Sequence, residues 1–457
     1  MKEIKYITCS LWVALTMSSC GIYSKYQRSS DVETLTDDLY KYSQATASDT
    51  SIASLSWREL FTDPALQSLI EQALAQNTDL NVAQLNVEQA EIALSTARKA
   101  FLPSLWLEPQ GSISSFNGVT SKTYNVSFTS SWEIDVFGKL RNAKEQNKAL
   151  LEQSEAYAQA VQTSLIATIA QSYYSLLMLD EQLKISEETR ENWEKNIRVM
   201  NAMKSAGRIN ETSVLQSEAS SIALNSSIVT LKEQIAVLEN SLSLLLAQPT
   251  THIERGYILS IEFSDKLSTG LPIELLSNRP DVRMAESYLA EMFYATAEAR
   301  SSLYPSLTLS GSAGYTNSSG VVTNPGDILY NLAGSILQPI FNRGALKAQL
   351  KISKSQQEQA LLQFKQSILD AGAEVNNAIS ELQSSRERLQ YGEHQIAVLE
   401  KTVTKTELLM RHGSSTTLDV LVAQLSLLQA QLSFSTEKYN QTQGVINLYR
   451  ALGGGEE

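Results

Sequence analysis

Between Asn342 and Arg411 the chain has no proline and only three glycines. Apolar residues recur there every seven positions, at Leu361, Ile368, Val375, Leu382, Leu389, Ile396, Val403 and Met410. Three residues after the first five of these sit Phe364, Ala371, Ala378, Ser385 and Gly392. This is a heptad seam whose second row is mostly small, so a partner helix can approach closely. About 69 helical residues at ~1.5 Å each form a rod about 100 Å long. A rod of that length cannot bury its seam alone, so the rest of the chain must supply partners or cap its ends.

A length of 457 residues would ordinarily imply about three domains, but the heptads overrule that prior. With 19% charged and 43% apolar residues, the chain is neither disordered nor polytopic in a membrane. Its formal charge of −12, with no basic cluster, argues against nucleic acid as a partner. The chain opens like an export signal. Lys2 and Lys5 precede an apolar run, Tyr6 to Met17, that is too short for a stable bilayer anchor. The run ends in Met17-Ser18-Ser19-Cys20. This resembles the bacterial lipoprotein signal, in which such a cysteine is lipidated and becomes the N-terminus. The resemblance implies a signal peptide over 1–19 and a lipid such as palmitate on Cys20. Cys9 would leave with the signal, so no disulfide is expected.

Residues 20–56 are rich in Ser, Thr, Asp and Tyr and read as an extended, lipidated arm. A first repeat follows over 57–270. Asp63-Pro64 opens a helix, a second helix runs from Asp79 to Phe101, and Pro103 stops it. The period then changes to two, predicting a hairpin over 104–136. In it Tyr124, Val126, Phe128, Trp132 and Ile134 face one way and Asn125, Ser127, Thr129, Ser131 and Glu133 the other. A long helix over 138–203 and a return helix over 211–246 complete the repeat. The second repeat, 271–457, has the same plan: helix 280–304, hairpin 306–341, long helix 343–411 and return helix 416–452. Matching points stay 202 to 206 residues apart, which marks an internal duplication. Each return helix is too short for its long partner. Two shorter helices should therefore stack end to end, with junctions near 57–78, 247–281 and 450–457.

Four strands with one apolar face cannot close a barrel, and unpaired edges are not tolerated in lipid. If the apolar face meets lipid, closure requires strands from other chains. At this point a family resemblance becomes specific. Asn278-Arg279-Pro280-Asp281-Val282-Arg283 resembles the signature of TolC-like outer membrane factors. Trp132-Glu133-Ile134-Asp135-Val136-Phe137-Gly138-Lys139, Leu102-Pro103-Ser104-Leu105 and the ending Ala451-Leu452-Gly453-Gly454 match the same family. More narrowly, the chain resembles the lipidated OprM-type ducts of resistance-nodulation-division efflux systems. The resemblance implies a mainly α fold with a β-barrel part: a long antiparallel helical cylinder plus a transmembrane barrel shared between the chains of a homotrimer. It further implies an outer membrane location with a long periplasmic portion. The partners would be outer membrane lipid, a periplasmic adaptor and an inner-membrane transporter. The function it implies is an exit duct for drugs or other small molecules. A type I protein secretion duct and a structural coiled-coil lipoprotein of the envelope stay open; the alternating hairpins speak against the latter.

His252, His394 and His412 fall in separate segments without metal-ligand spacing. No phosphate loop or nucleophile–base constellation is present, so neither an enzyme nor a cofactor is expected. The candidate residues lie elsewhere. Arg279, Pro280, Asp281 and Arg283 read as structural. The turns that end the long helices hold the candidates for the periplasmic aperture that the resemblance implies, namely Arg208 and Glu211 in the first and Leu418 and Asp419 in the second. Asp419 has a second reading, as an acid favoured at a helix start.

Overall fold

The computed structural model describes residues 24–28, 32, 39, 56–256, 278–317 and 327–454. The expected signal peptide, Cys20, most of the arm and the turn at 324–326 lie outside these residues. The elements are α1 (Trp57–Leu60), α2 (Pro64–Gln76), α3 (Thr78–Lys99), β1 (Ser104–Phe116), β2 (Val119–Ile134), α4 (Lys139–Ser205) and α5 (Glu211–Leu245), followed by α6 (Pro280–Ser301), β3 (Ser306–Thr316), β4 (Asp327–Leu337), α7 (Ala345–Arg411) and α8 (Thr417–Ala451). The duplication shows in the lengths. Both long helices have 67 residues and both return helices have 35. β4 ends at Leu337, short of the 341 expected from the alternation. Pro339 has no N–H to continue a ladder, and Gln338 turns its side chain to the Leu303 carbonyl at 3.1 Å.

The described residues fall into two compact units. One holds 84–156 and 283–367 with residues 24–28 and 32; the other holds 56–83, 157–256, 278–282 and 368–454. The first contains one antiparallel sheet in the order β1-β2-β3-β4. Pro109 sits in β1, an edge strand, where a missing donor is tolerated. Helices lead out of this sheet through a built hinge. Asp135 accepts from the backbone N–H groups of Leu140 at 3.1 Å and Arg141 at 3.0 Å, capping α4. Gly138 has φ +77°, and Lys139 returns to Glu133 at 3.0 Å. Phe137 stacks on Tyr304 with centroids 5.2 Å apart. The sequence stretch from Trp132 to Lys139 is thus the strand-to-helix corner.

The second unit is organised by its helix junctions. Asp63 caps α2 through the Ala65 N–H at 2.9 Å and also accepts from the Tyr173 hydroxyl at 2.6 Å. Trp57, Phe61, Tyr173, Tyr174 and Tyr449 are fully buried around it. Each such side chain contributes about 1.5–3 kcal/mol by leaving water. Burial also raises the Tyr174 and Tyr449 hydroxyls well above the ordinary tyrosine value. Asn77 makes the end-to-end junction. Its Oδ1 accepts from Leu80 N at 3.0 Å, starting α3, and its Nδ2 donates to the Leu245 carbonyl at 2.9 Å, ending α5. The duplicated junction uses Arg279 against the end of α8. There Gly453 adopts φ +83°, and a Cβ on it would lie 2.6 Å from the Asn278 carbonyl.

The heptad seams are only partly buried within one chain. Ile368, Ala371, Val375, Ala378, Leu382 and Ser385 of α7 are buried, whereas Leu389, Ile396, Val403 and Met410 are half-buried. Of the apolar row expected along α8, Leu421, Leu428, Ile446 and Tyr449 are buried, whereas Leu418 and Leu425 are exposed. Thr416 and Asp419 start the helix with a capping box.

Candidate functional site

The register of the sheet sorts most of its side chains by face. Leu107 pairs with Phe128, Phe128 with Ala313 and Ala313 with Tyr330, so all four share a face. By the same alternation Ile113, Val126, Trp132, Leu309, Leu332 and Ile336 belong to it. This face is apolar and open: Phe128 is 55% exposed, Tyr330 83% and Leu332 86%. The opposite face carries Glu108, Thr129, Ser131, Ser310, Ser312 and Asn331, which line a hollow together with Trp106. Trp132 donates its indole N–H to the Phe101 carbonyl at 2.9 Å, an apolar ring with a polar tether at the sheet's helix-side end. Apolar outside, polar inside and aromatic residues near a rim is the pattern of a barrel in lipid. Among the described residues, β1 and β4 have no neighbour on their outer sides.

Gly314 fixes the seam between the two hairpins. A Cβ there would lie 2.5 Å from the Ser127 Cα and closer still to the Val126 carbonyl. Beside it, buried Asn317 accepts from Tyr124 N and donates to the Lys122 carbonyl at 3.1 Å. β2 and β3 come from different repeats, so this contact joins the two halves into one sheet.

The two tip turns are built alike. α4 is closed by Gly207 at φ +73°, with Arg208 N donating to the Met203 carbonyl at 2.9 Å. α7 is closed by Gly413 at φ +78°, with Ser414 N donating to the Leu409 carbonyl at 2.9 Å. Asn210 then caps α5, and Thr416 caps α8. Arg208 is exposed. Glu211 is exposed too and faces Lys204 at 3.4 Å. Asp419 accepts from the Thr416 hydroxyl at 2.7 Å, from Thr416 N at 2.8 Å and from Ser415 at 3.0 Å. Those bonds, led by the Thr416 hydroxyl, hold its carboxyl below the ordinary aspartate value. Leu418 is 49% exposed and forms an apolar stripe with Val422 and Leu425. A matching stripe on α5, Leu215, Ile222 and Val229, escaped the sequence reading. Its signal was a second row of period seven beside the buried one.

The motif residues serve the junction. Arg279 is 5% exposed, Pro280 opens α6, and Asp281 lies in its first turn. Arg279 meets Asp281 at 2.9 Å and Glu374 at 2.8 Å. Arg283 follows one turn on, half-buried. Among the described residues no group of three or more His, Cys, Asp or Glu could hold a metal, and no helix is long and apolar enough to cross a membrane.

Comparison with known proteins agrees with this architecture. The outer membrane efflux protein family matches residues 69–248 and 271–454, once per repeat. The cation efflux system protein CusC of Escherichia coli K12 is 29% identical over 448 residues, covering 97% of this chain and 98% of CusC. SilC of Salmonella typhimurium, a probable outer membrane lipoprotein, is 30% identical over 412 residues, covering 87% of this chain and 88% of SilC. The solved outer-membrane channel OprN superposes with a TM-score of 0.85 at 27% identity, over 95% of this chain and 99% of that one. An open sheet with an apolar outer face, paired long helices and a family match in both repeats lead to one conclusion: the chain belongs to the outer membrane efflux protein family, as an exit channel of an efflux system.

Proposed function

We propose that this chain works as a homotrimer in which twelve strands close one barrel, and that it passively conducts small molecules or ions from a periplasmic adaptor and an inner-membrane transporter to the outside. The open sheet carries this reading. Its apolar face is exposed and its two edge strands lack partners among the described residues, so lipid and further copies are the partners that would satisfy them. The exposed stripes on α5 and α8 are the surfaces that neighbouring helices of other copies, or the closed aperture, would cover. Leu418 is the candidate constriction. Cys20 carries the lipid, a role supported by the signal-like sequence and by the lipoprotein description of SilC. A conduit of this kind needs no catalytic group. The name of CusC favours ions among the possible cargoes.

Purified complex in mild detergent tests the reading. Its mass should equal three chains, and it should form water-filled conductances in planar bilayers. A stable monomer, or trimers that never conduct, would refute it. Radiolabelled palmitate should enter the wild type and not Cys20→Ser; equal labelling would remove the anchor.

A further inference from the structure

Three methionines lie near one another where α4 and α7 end. Met200 and Met203 of α4 and Met410 of α7 line one narrow cavity, with Ser217 of α5 and Gln424 of α8. These are three of the chain's eight methionines. The cavity has about 80 Å³. That is far below the ~300–1,000 Å³ that a drug-sized molecule occupies. It suits an ion or a couple of waters. Met200 is buried, and its sulfur accepts from the Ser217 hydroxyl at 3.5 Å, so the sulfur faces a polar neighbour. Glu407 lines the same cavity and accepts from Gln424 Nε2 at 2.9 Å; exposed Arg411 stands at its edge.

One methionine in a helical interface is a gap filler. Three around one cavity that also presents a hydroxyl and a carboxylate form a donor set. Thioethers are soft, neutral and polarisable, and they favour Cu(I) or its heavier analogue Ag(I) over hard divalent ions. Neutral sulfurs cannot repay the dehydration of Mg²⁺ or Ca²⁺, which take oxygen ligands. Glu407 supplies one negative charge for a monovalent ion. We propose that Met200, Met203 and Met410 form a binding site for a soft monovalent cation in each chain. Loading such an ion beside the tip turns has a purpose only under the exit-duct reading; the binding itself does not depend on it.

The purified full-length complex, kept reduced, is titrated with Cu(I) against a chromogenic Cu(I) chelator. Wild type should take up one ion per chain through this site. The volume-conserving variant Met200→Leu/Met203→Leu/Met410→Leu should bind that ion at least about tenfold more weakly. Any cysteine contribution is common to both proteins and cancels in the comparison. A second measurement needs no variant. Ag(I) should slow peroxide conversion of these three methionines to sulfoxide, read by mass spectrometry, while Met284 and Met292 oxidise at unchanged rates. Equal affinity of wild type and variant overturns the site, as does equal oxidation with and without silver. Neither readout uses conductance, so loss of the site and loss of the duct are separable.

Discussion

Arg279 donates from Nη1 to the backbone carbonyl of Ala451 at 2.7 Å, tying the start of α6 to the end of α8 across 172 positions of sequence. Burial works against the guanidinium charge, but its hydrogen bonds to the Asp281 and Glu374 carboxylates, with their charges, outweigh it and raise its pKa. Replacing Arg279 with Ala leaves the Ala451 carbonyl buried without that donor. The expected cost is about 2–3 kcal/mol. Arg279→Lys should recover less than half, because an ammonium cannot reproduce the fork on Asp281 while also reaching Ala451. Thermal unfolding of the detergent-solubilised complex reads both; a lysine variant as stable as wild type would show that charge alone suffices.

The duplication made that junction half legible. Asn77 reaching the Leu245 carbonyl and Arg279 reaching the Ala451 carbonyl are the same joint at the same offset, 202 residues for one partner and 206 for the other. Stacking of short helices followed from helix lengths alone. The chemistry of the joint did not, because an amide and a guanidinium share no sequence pattern. The strand faces were legible in β2 and β3, where period two survives; Leu105-Trp106-Leu107 in β1 and Ile328-Leu329-Tyr330 in β4 are apolar runs, and only the pairing register assigns their faces. The exposure of Leu418 and Leu425 was not legible, since the heptad rule reads them in one row with Leu421 and Leu428, which are buried. Tyr173 and Tyr174 of α4 are buried too, because Phe61, just after α1, packs against Tyr174 from a distant part of the sequence.

Gly314 should tolerate no side chain. A Cβ would collide with backbone of β2, which cannot move without opening the ladder between the repeats. Gly314→Val should cost more than the ~1–3 kcal/mol typical of an overpacked core. Most of the assembled oligomer should disappear from the outer membrane fraction, measured on unheated gels. Gly311→Ala is the control: its nearest neighbours would be 3.6 Å away, and assembly should be unchanged.

Arg255 holds two helices together. It is 8% exposed at its side chain and pairs with Asp180 of α4 and, at 2.5 Å, with Glu239 of α5; His252 Nδ1 also lies 2.9 Å from Glu239. Burial would raise the Glu239 carboxyl, but the Arg255 hydrogen bond and charge prevail and lower it from 4.5. A lowered folded-state pKa stabilises in full above the unfolded value and loses that contribution as pH falls through the folded value. Arg255→Ala should therefore cost about 3 kcal/mol near neutrality. Unfolding temperatures of wild type and Glu239→Gln should differ most at about pH 7 and converge as pH falls through the lowered folded-state value of Glu239. A difference that stays constant with pH would mean that the pair is held by geometry without its charge.

Leu418 and Asp419 divide the roles assigned to the tip. Asp419 Oδ2 is engaged by Ser415 and Thr416, and Asn in its place keeps one acceptor for the cap. Leu418 is half exposed and makes no such bond. In the proposed homotrimer, three copies of each would meet around the axis. Three leucines exclude water from a narrow opening, whereas three carboxylates attract cations without blocking it. Leu418→Ser should raise single-channel conductance in planar bilayers and leave ion preference nearly unchanged. Asp419→Asn should lower the preference for potassium over chloride with little change in conductance. Because its hydrogen bonds keep the Asp419 carboxyl ionised below the ordinary 3.8, the wild-type preference should persist in mild acid and fade only below that value. If neither substitution alters conductance or selectivity, the constriction is not at the second turn, and Arg208 with Glu211 in the first turn becomes the pair to replace.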